Sequence, residues 1–192
     1  MDADHFRPPQ TPRGEKSNGL TVGAVYQARR GKGHEDLLEA LWGIPRVRPS
    51  TRFLVFGRQR LLQPLPPRSR YVRNPRWEVL PRLYQGMDVF IHASRHEGWG
   101  LPPMEAMASG CAVVTTPAGG VPEFADSTCA RLVPANSPPA LAAAALELLE
   151  QPEQRRALGA AARTRMRGFT WAAAYGRFEQ ELLGAVQEKG GR

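Results

Sequence analysis

The sequence predicts an α/β fold, a doubly wound and mostly parallel sheet with helices on both faces, and three observations lead to it. Short apolar runs alternate with helical patterns along the chain. Those runs are near-continuous in Val, Ile, Leu and Phe, as strands covered on both faces require, where half-exposed strands would alternate with polar residues. A chain of 192 residues that is 42% hydrophobic is long enough for one sizeable core and short for two.

Residues 1–18 are rich in proline and charge and lack apolar periodicity, so they read as an interdomain linker or tail, with the packed core expected to begin near Leu20. A strand is expected over 20–26 (LTVGAVY), a helix over 34–44, a strand over 52–57 (RFLVFG), a helix over 77–87 and a strand over 88–94 (DVFIHAS). The rhythm continues with a helix over 102–110, a strand over 111–116 (CAVVTT), a short helix over 121–125, a strand over 129–134 and helices over 138–151, 153–167 and 170–188. Ser137 ahead of Pro138 and Pro139, Thr170 ahead of the last helix, and Gly110 behind the helix that holds Glu105 are cap residues consistent with these boundaries. Between Gly57 and Tyr71 the stretch RQRLLQPLPPRSR has three prolines and no helical period, so an irregular connection is expected. The Ala-rich C-terminal stretch has the apolar spacing of a packed helix. The domain reading is a linker at 1–18, one α/β unit over 19–169 and a C-terminal helix over 170–192.

The net charge of +8 suits an anionic partner, whether a nucleotide diphosphate, a nucleic acid or an anionic membrane surface. The basic residues are scattered and no recognition motif or aromatic-basic platform accompanies them, which argues against nucleic acid. No G-x-G-x-x-G follows a strand with an acidic residue about 20 positions on, which argues against a dinucleotide dehydrogenase. The longest apolar stretch, Pro138 to Leu149, is broken by Glu147 and falls short of the roughly 18 residues a membrane span needs. The N-terminus has neither an apolar core nor a cleavage site, so a cytoplasmic location is expected. Cys111 and Cys129 have no Cys or His neighbour at ligand spacing and read as buried reduced thiols, with no metal expected.

The most informative stretch runs Arg95-His96-Glu97-Gly98-Trp99-Gly100-Leu101-Pro102-Pro103-Met104-Glu105, between a strand end and a helix start. Gly98 and Gly100 let the backbone approach a ligand, and Pro102 and Pro103 suit a first helical turn, where a missing amide hydrogen costs little. The helix N-terminus and its free amides favour an anion such as a diphosphate. Glu97 and Glu105, with seven residues between them, can point into one cleft and accept hydroxyl hydrogen bonds, so a polyol diphosphate fits better than a plain phosphate. The alternative is that both merely cap or solvate a helix start. A second segment, Val22 to Gly33, is a strand followed by the basic turn Arg29-Arg30-Gly31-Lys32-Gly33, which is a cationic ligand site or an exposed basic turn. Ser94 reads as a phosphate contact or a turn cap, and His92 as a core or supporting histidine. Gly119 and Gly120 either let a turn approach the ligand or simply make a tight turn, and Trp99 reads as packing or as a wall of the ligand site.

Glu97 to Glu105 resembles the Glu, seven residues, Glu motif of glycosyltransferase family 4, including its Glu-Gly-aromatic-Gly-Leu-Pro start. The segment around Lys32-Gly33 resembles that family's strand-to-Lys-Gly-to-helix segment, and the likeness extends over most of the chain through Leu80 to Tyr84, Met87 to Phe90, Gly110 to Val114 and Gly119 to Glu123. The resemblance implies the C-terminal, donor-binding half of a GT-B fold, a retaining transfer of sugar from a nucleotide-diphosphate sugar, and no metal or other cofactor. It implies that Glu97 contacts the transferred sugar, that the backbone of Gly98, Trp99, Gly100 and Leu101 meets sugar and phosphates, that Glu105 holds the ribose, and that Lys32 beside Gly33 neutralises the diphosphate. The sequence departs from the family where Ala24 or Val25 stands in place of a phosphate-binding arginine, leaving Arg29 and Arg30 as candidates. Met1 to Pro8 resembles the segment that links the two domains, so an N-terminal acceptor domain, binding a sugar or lipid-linked acceptor, is expected to precede it, with peripheral membrane association where the acceptor is a lipid. A noncatalytic nucleotide-sugar-binding or interaction module, or the partner half of a split enzyme, is the competing reading.

Overall fold

The structure, a computed structural model, describes residue 2, residues 5–9 and residues 19–190, the side chains of 187–190 excepted. Six parallel strands make one sheet: β1 (Thr21–Val25), β2 (Arg52–Gly57), β3 (Ser69–Arg73), β4 (Val89–His92), β5 (Ala112–Thr115) and β6 (Arg131–Leu132), in the order β3-β2-β1-β4-β5-β6. The helices are α1 (His34–Val47), α2 (Leu80–Gln85), α3 (Leu101–Ala108), α4 (Val121–Phe124), α5 (Pro138–Glu150), α6 (Pro152–Met166) and α7 (Trp171–Gly190), and a 3-10 turn spans Trp77–Val79. The sheet is doubly wound, with β1 at its centre paired to β2 on one side and β4 on the other.

Both faces of the sheet are buried, so the strands alternate between two cores. Val22, Ala24, Phe53, Val55, Val89, Ile91, Ala112 and Val114 face α1 and α5, whose Leu37, Leu41, Ile44, Leu141, Ala145 and Leu148 complete that layer. Phe56, Phe90 and Val113 face the opposite way onto Leu83 and Tyr84 of α2, Met104 and Met107 of α3, and Ala162 and Met166 of α6. Both cysteines are buried, each inside the second of these cores. Among the described residues no helix is long and apolar enough to cross a membrane.

Three expectations are corrected. The connection after Gly57 is irregular only as far as Arg68; Ser69–Arg73 then forms the edge strand β3 beside β2. Its sequence, SRYVR, is half polar because an edge strand has little apolar surface to bury, so no apolar run marks it. The core does not wait for Leu20, because Phe6 is fully buried against Trp77 and Tyr84, and Arg163 donates through Nη1 to the carbonyls of Phe6 and Ala108. The rest of the proline-rich stretch, residues 10–18, lies outside the described residues. Finally, among its described side chains α7 leaves Trp171, Tyr175, Phe178, Leu182, Leu183 and Val186 exposed where a packed helix is expected, since the two sheet faces are already covered by the helices before it.

Candidate functional site

The strand order reverses direction between β1 and β4, so the loops leaving their carboxyl ends diverge and open a crevice. The basic turn 26–33 follows β1 and the loop 93–100 follows β4, and the two are fastened together. The carbonyl of Gly31 accepts from the amides of Arg95 and His96 at 2.8 and 2.9 Å, and the Ser94 hydroxyl lies 3.1 Å from it. Gly33 has φ +60, and a Cβ there would stand 1.8 Å from the Ala93 carbonyl, so only glycine allows this approach. Arg95 grips the α1 carboxylate of Asp36 with Nε and Nη2 at 2.9 and 2.7 Å, a two-pronged bond that anchors the loop to the first turn of that helix.

The fastening delivers Lys32 to Glu97: the ammonium donates to Oε2 at 2.7 Å, across 65 residues of sequence. His92, at the end of β4, lies 3.0 Å from the other carboxylate oxygen through Nε2 and 2.9 Å from the Thr115 hydroxyl through Nδ1. Thr115 therefore orients a histidine that in turn orients Glu97. Burial works to raise the Glu97 carboxyl, but hydrogen bonds from His92 and Lys32, with help from Ser94, hold it down at about 2. Glu97 is thus a fixed anion whose side chain is 9% exposed.

On the far side of the loop, Gly119 has φ +55 and a Cβ there would stand 1.9 Å from the Glu97 carbonyl, while the amide of Gly120 donates to the Gly98 carbonyl at 3.1 Å. The glycine pair therefore lets the turn before α4 press against the loop backbone. Gly100, at φ +91, precedes α3, whose start has no side-chain cap; Pro102 and Pro103 carry no N–H, so Leu101 supplies the amide of that first turn.

Glu97 lies in a small recess that shares Val25, Gln27 and Pro102 with an adjoining cavity of about 760 Å³. Glu105 lines that cavity, so the two acids face one crevice. Burial is the main influence on Glu105 and lifts its carboxyl to about 7, although the Tyr84 hydroxyl donates to it at 2.7 Å. The remaining wall includes Arg29, Arg58, Gln59, Asn74 and Trp77, and His5 stacks on Trp77 with ring centroids 4.5 Å apart.

The structure therefore brings Lys32, Glu97, Glu105 and Arg29 to one crevice, with Gly33, Gly98 and Gly100 on the loops that flank it. It does not bring Arg30, Trp99 or Leu101 into the wall. Arg30 is exposed, while Trp99 packs on Phe124 and Phe169 and shares a separate apolar groove with Leu101. Arg58, Gln59, Asn74, Trp77 and Tyr84 have no site signal in the sequence. Tyr84 could have been suspected, since a tyrosine on a helix otherwise facing a core needs a partner for its hydroxyl. Among the described residues no group of three or more His, Cys, Asp or Glu is placed to hold a metal ion.

The sequence pattern of the family described as "Glycosyl transferases group 1" matches residues 9–165. The D-inositol 3-phosphate glycosyltransferase of Corynebacterium diphtheriae is 37% identical over 123 residues, which is 64% of this chain and 26% of that protein. The MMP alpha-(1->4)-mannosyltransferase of Mycolicibacterium hassiacum is 39% identical over 97 residues, 49% of this chain and 24% of that protein. The chain spans about a quarter of the length of these curated relatives. Among solved structures, the C-terminal domain of a glycosyl transferase group 1 family protein (LpcC) from Francisella tularensis superposes with TM-score 0.72 at 24% identity, over 87% of this chain and 96% of that one. Anabaena Alr3699/HepE in complex with UDP-glucose superposes with TM-score 0.78 at 18% identity, over 96% of this chain and 56% of that one. At these identities the likeness is one of fold, the C-terminal half of a GT-B arrangement.

Proposed function

The chain belongs to the glycosyl transferases group 1 family, and from that premise we propose that it is the donor-binding half of a retaining glycosyltransferase of family 4, taking sugar from a nucleotide-diphosphate sugar. The observation that carries the reading is the meeting of Lys32 with Glu97 at 2.7 Å in the crevice that Glu105 also enters. HepE, of the same fold, has been solved with UDP-glucose, which supports the class of donor.

In this reading Glu105 accepts from the ribose hydroxyls and Glu97, held ionised, accepts from the sugar hydroxyls. Between them the free amides of Gly98 to Leu101 and the α3 N-terminus receive the pyrophosphate. Lys32 stabilises the negative charge that develops on the departing diphosphate as the bond to the sugar breaks. His92 and Thr115 keep Glu97 in place and need take no proton. No metal or other cofactor enters these steps.

A second, acceptor-binding domain would complete the cleft, for a sugar or lipid-linked acceptor, and the reading sets the protein in the cytoplasm, at the inner membrane face where the acceptor is a lipid. Residues 1–18 then act as the interdomain linker, 19–169 as the donor domain and 170–192 as its C-terminal helix. Reaction needs both substrates held together in a water-excluded cleft, so the chain by itself should bind donor and transfer sugar poorly. Thermal melting tests the reading: a nucleoside diphosphate at 100 times its Kd should stabilise the chain by about 2.7 kcal/mol. The shift should vanish in the double variant Lys32→Ala, Glu105→Ala. Unchanged melting with UDP, GDP and ADP would sink it.

A further inference from the structure

Arginines that stand apart in the sequence gather along one edge of the fold. Between Arg58 and Arg82 the chain has seven arginines and one acid, Glu78, a net +6 in 25 residues where the whole chain carries +8. This stretch leaves the carboxyl end of β2, crosses to the amino end of β3, runs up that strand and turns into α2. β3 is the last strand of the sheet and pairs with β2 alone, so the stretch lines the sheet's free edge. The register spreads its basic residues along that edge: the amide of Phe53 donates to the Arg68 carbonyl at 3.2 Å near one end, and Gly57 stands opposite Arg73 at the other.

All seven arginines are exposed, and among the described residues none of them forms an ion pair. Charge on an edge strand hinders pairing with another sheet, which accounts for Arg70 and Arg73 on β3. It does not account for Arg58, Arg60 and Arg68 in the loop before that strand, nor for Arg76 and Arg82 after it. Large apolar side chains stand among them: Leu62 is 71% exposed, Trp77 49% and Val79 40%. Guanidinium groups interleaved with exposed leucine, valine and tryptophan suit the boundary of an anionic bilayer, where the charges meet lipid phosphates and the apolar groups enter the headgroup layer. A nucleic acid would require aromatic faces on which successive bases stack, and the one tryptophan of this edge is already stacked on His5.

We propose that the β3 edge, from Arg60 to Arg82, is a docking surface for an anionic phospholipid bilayer. This goes beyond the nucleotide-sugar reading and does not depend on it. Arg58 and Trp77 belong both to this stretch and to the wall of the large cavity, so docking holds the crevice beside the lipid surface.

The test is co-sedimentation of the full chain with vesicles, either of phosphatidylcholine alone or of phosphatidylcholine and phosphatidylglycerol in equal parts. The chain should partition onto the anionic vesicles only, and added salt should release it. Arg60→Gln, Arg68→Gln, Arg70→Gln and Arg73→Gln combined, all outside the cavity wall, should lower that partitioning on the order of a hundredfold. Arg46→Gln, Arg156→Gln, Arg167→Gln and Arg177→Gln combined remove the same charge elsewhere and should lower it far less. Leu62→Ser should weaken partitioning with the charge unchanged. The four edge arginines are exposed and unpaired, so their variant should fold, and an unshifted melting temperature checks that. Equal losses in the two fourfold variants, equal partitioning onto neutral and anionic vesicles, or capture of duplex DNA in place of vesicles overturns the proposal and leaves the donor reading standing. A chain that binds anionic vesicles through this edge and no nucleoside diphosphate supports the proposal and overturns the donor reading.

Discussion

Glu97 and Glu105 are the same side chain in one crevice, and their surroundings drive them apart in protonation. Glu97 is held at about 2 by His92 and Lys32 in spite of burial, so it contributes stability above its ordinary value of 4.5 that is lost as pH falls toward 2. Glu105 is lifted to about 7 by burial, so its proton contributes stability below 4.5 that is lost as pH rises through 7. A ribose hydroxyl donates to a carboxylate, so nucleotide binding should draw on the ionised form of Glu105. Affinity is therefore expected to rise about tenfold between pH 6 and 8, and Glu105→Gln to flatten that dependence; titrations across this range, read by calorimetry, check it. A wild-type affinity independent of pH would count against Glu105 as the hydroxyl acceptor. At this scale the sequence shows the two acids and Lys32 because each sits in a dense local motif. Arg58 and Trp77 are illegible because they join the crevice through tertiary packing, from residues that read as ordinary helix and loop.

Loops at the carboxyl ends of β1 and β4 make the site, and glycine permits their contact. Gly119 is the sharper case. Its φ is +55, and a side chain at that position would bring its Cβ to 1.9 Å from the Glu97 carbonyl, so Gly119→Ala must move the loop that carries Glu97. That variant is expected to lose on the order of 1–3 kcal/mol in a urea melt, more than Gly98→Ala, where a Cβ meets no protein atom within 4 Å. Equal behaviour of the two variants would show that the turn before α4 does not set the loop. Strands buried on both faces announce themselves as apolar runs, which is why β1, β2, β4 and β5 are readable. β3 is not, since an edge strand reading Ser-Arg-Tyr-Val-Arg has the composition of a loop. The last helix shows the opposite failure: helical spacing of Trp171, Tyr175, Phe178 and Leu182 reports a helix and says nothing of what, if anything, covers it.

Across the whole molecule, the parallel sheet does the organising. Every strand points the same way, so all the functional loops leave one edge, and the reversal of order at β1 and β4 parts two of them to make room for a ligand. Doubly wound topology is legible from the alternation of apolar runs and helical patterns; the anchoring of Phe6 beneath Trp77 is not, because one aromatic in a proline-rich stretch carries no periodicity. The central claim is that Lys32, Glu97, Glu105 and the α3 N-terminus hold one nucleotide-diphosphate sugar. A crystal structure of the chain grown with UDP-glucose, GDP-mannose or the nucleoside diphosphate that binds best tests it most directly. Pyrophosphate between Lys32 and the amides of Gly98 to Leu101, with ribose hydroxyls on Glu105, is the expected result; nucleotide bound elsewhere, with the Lys32–Glu97 crevice filled only by solvent, would contradict it.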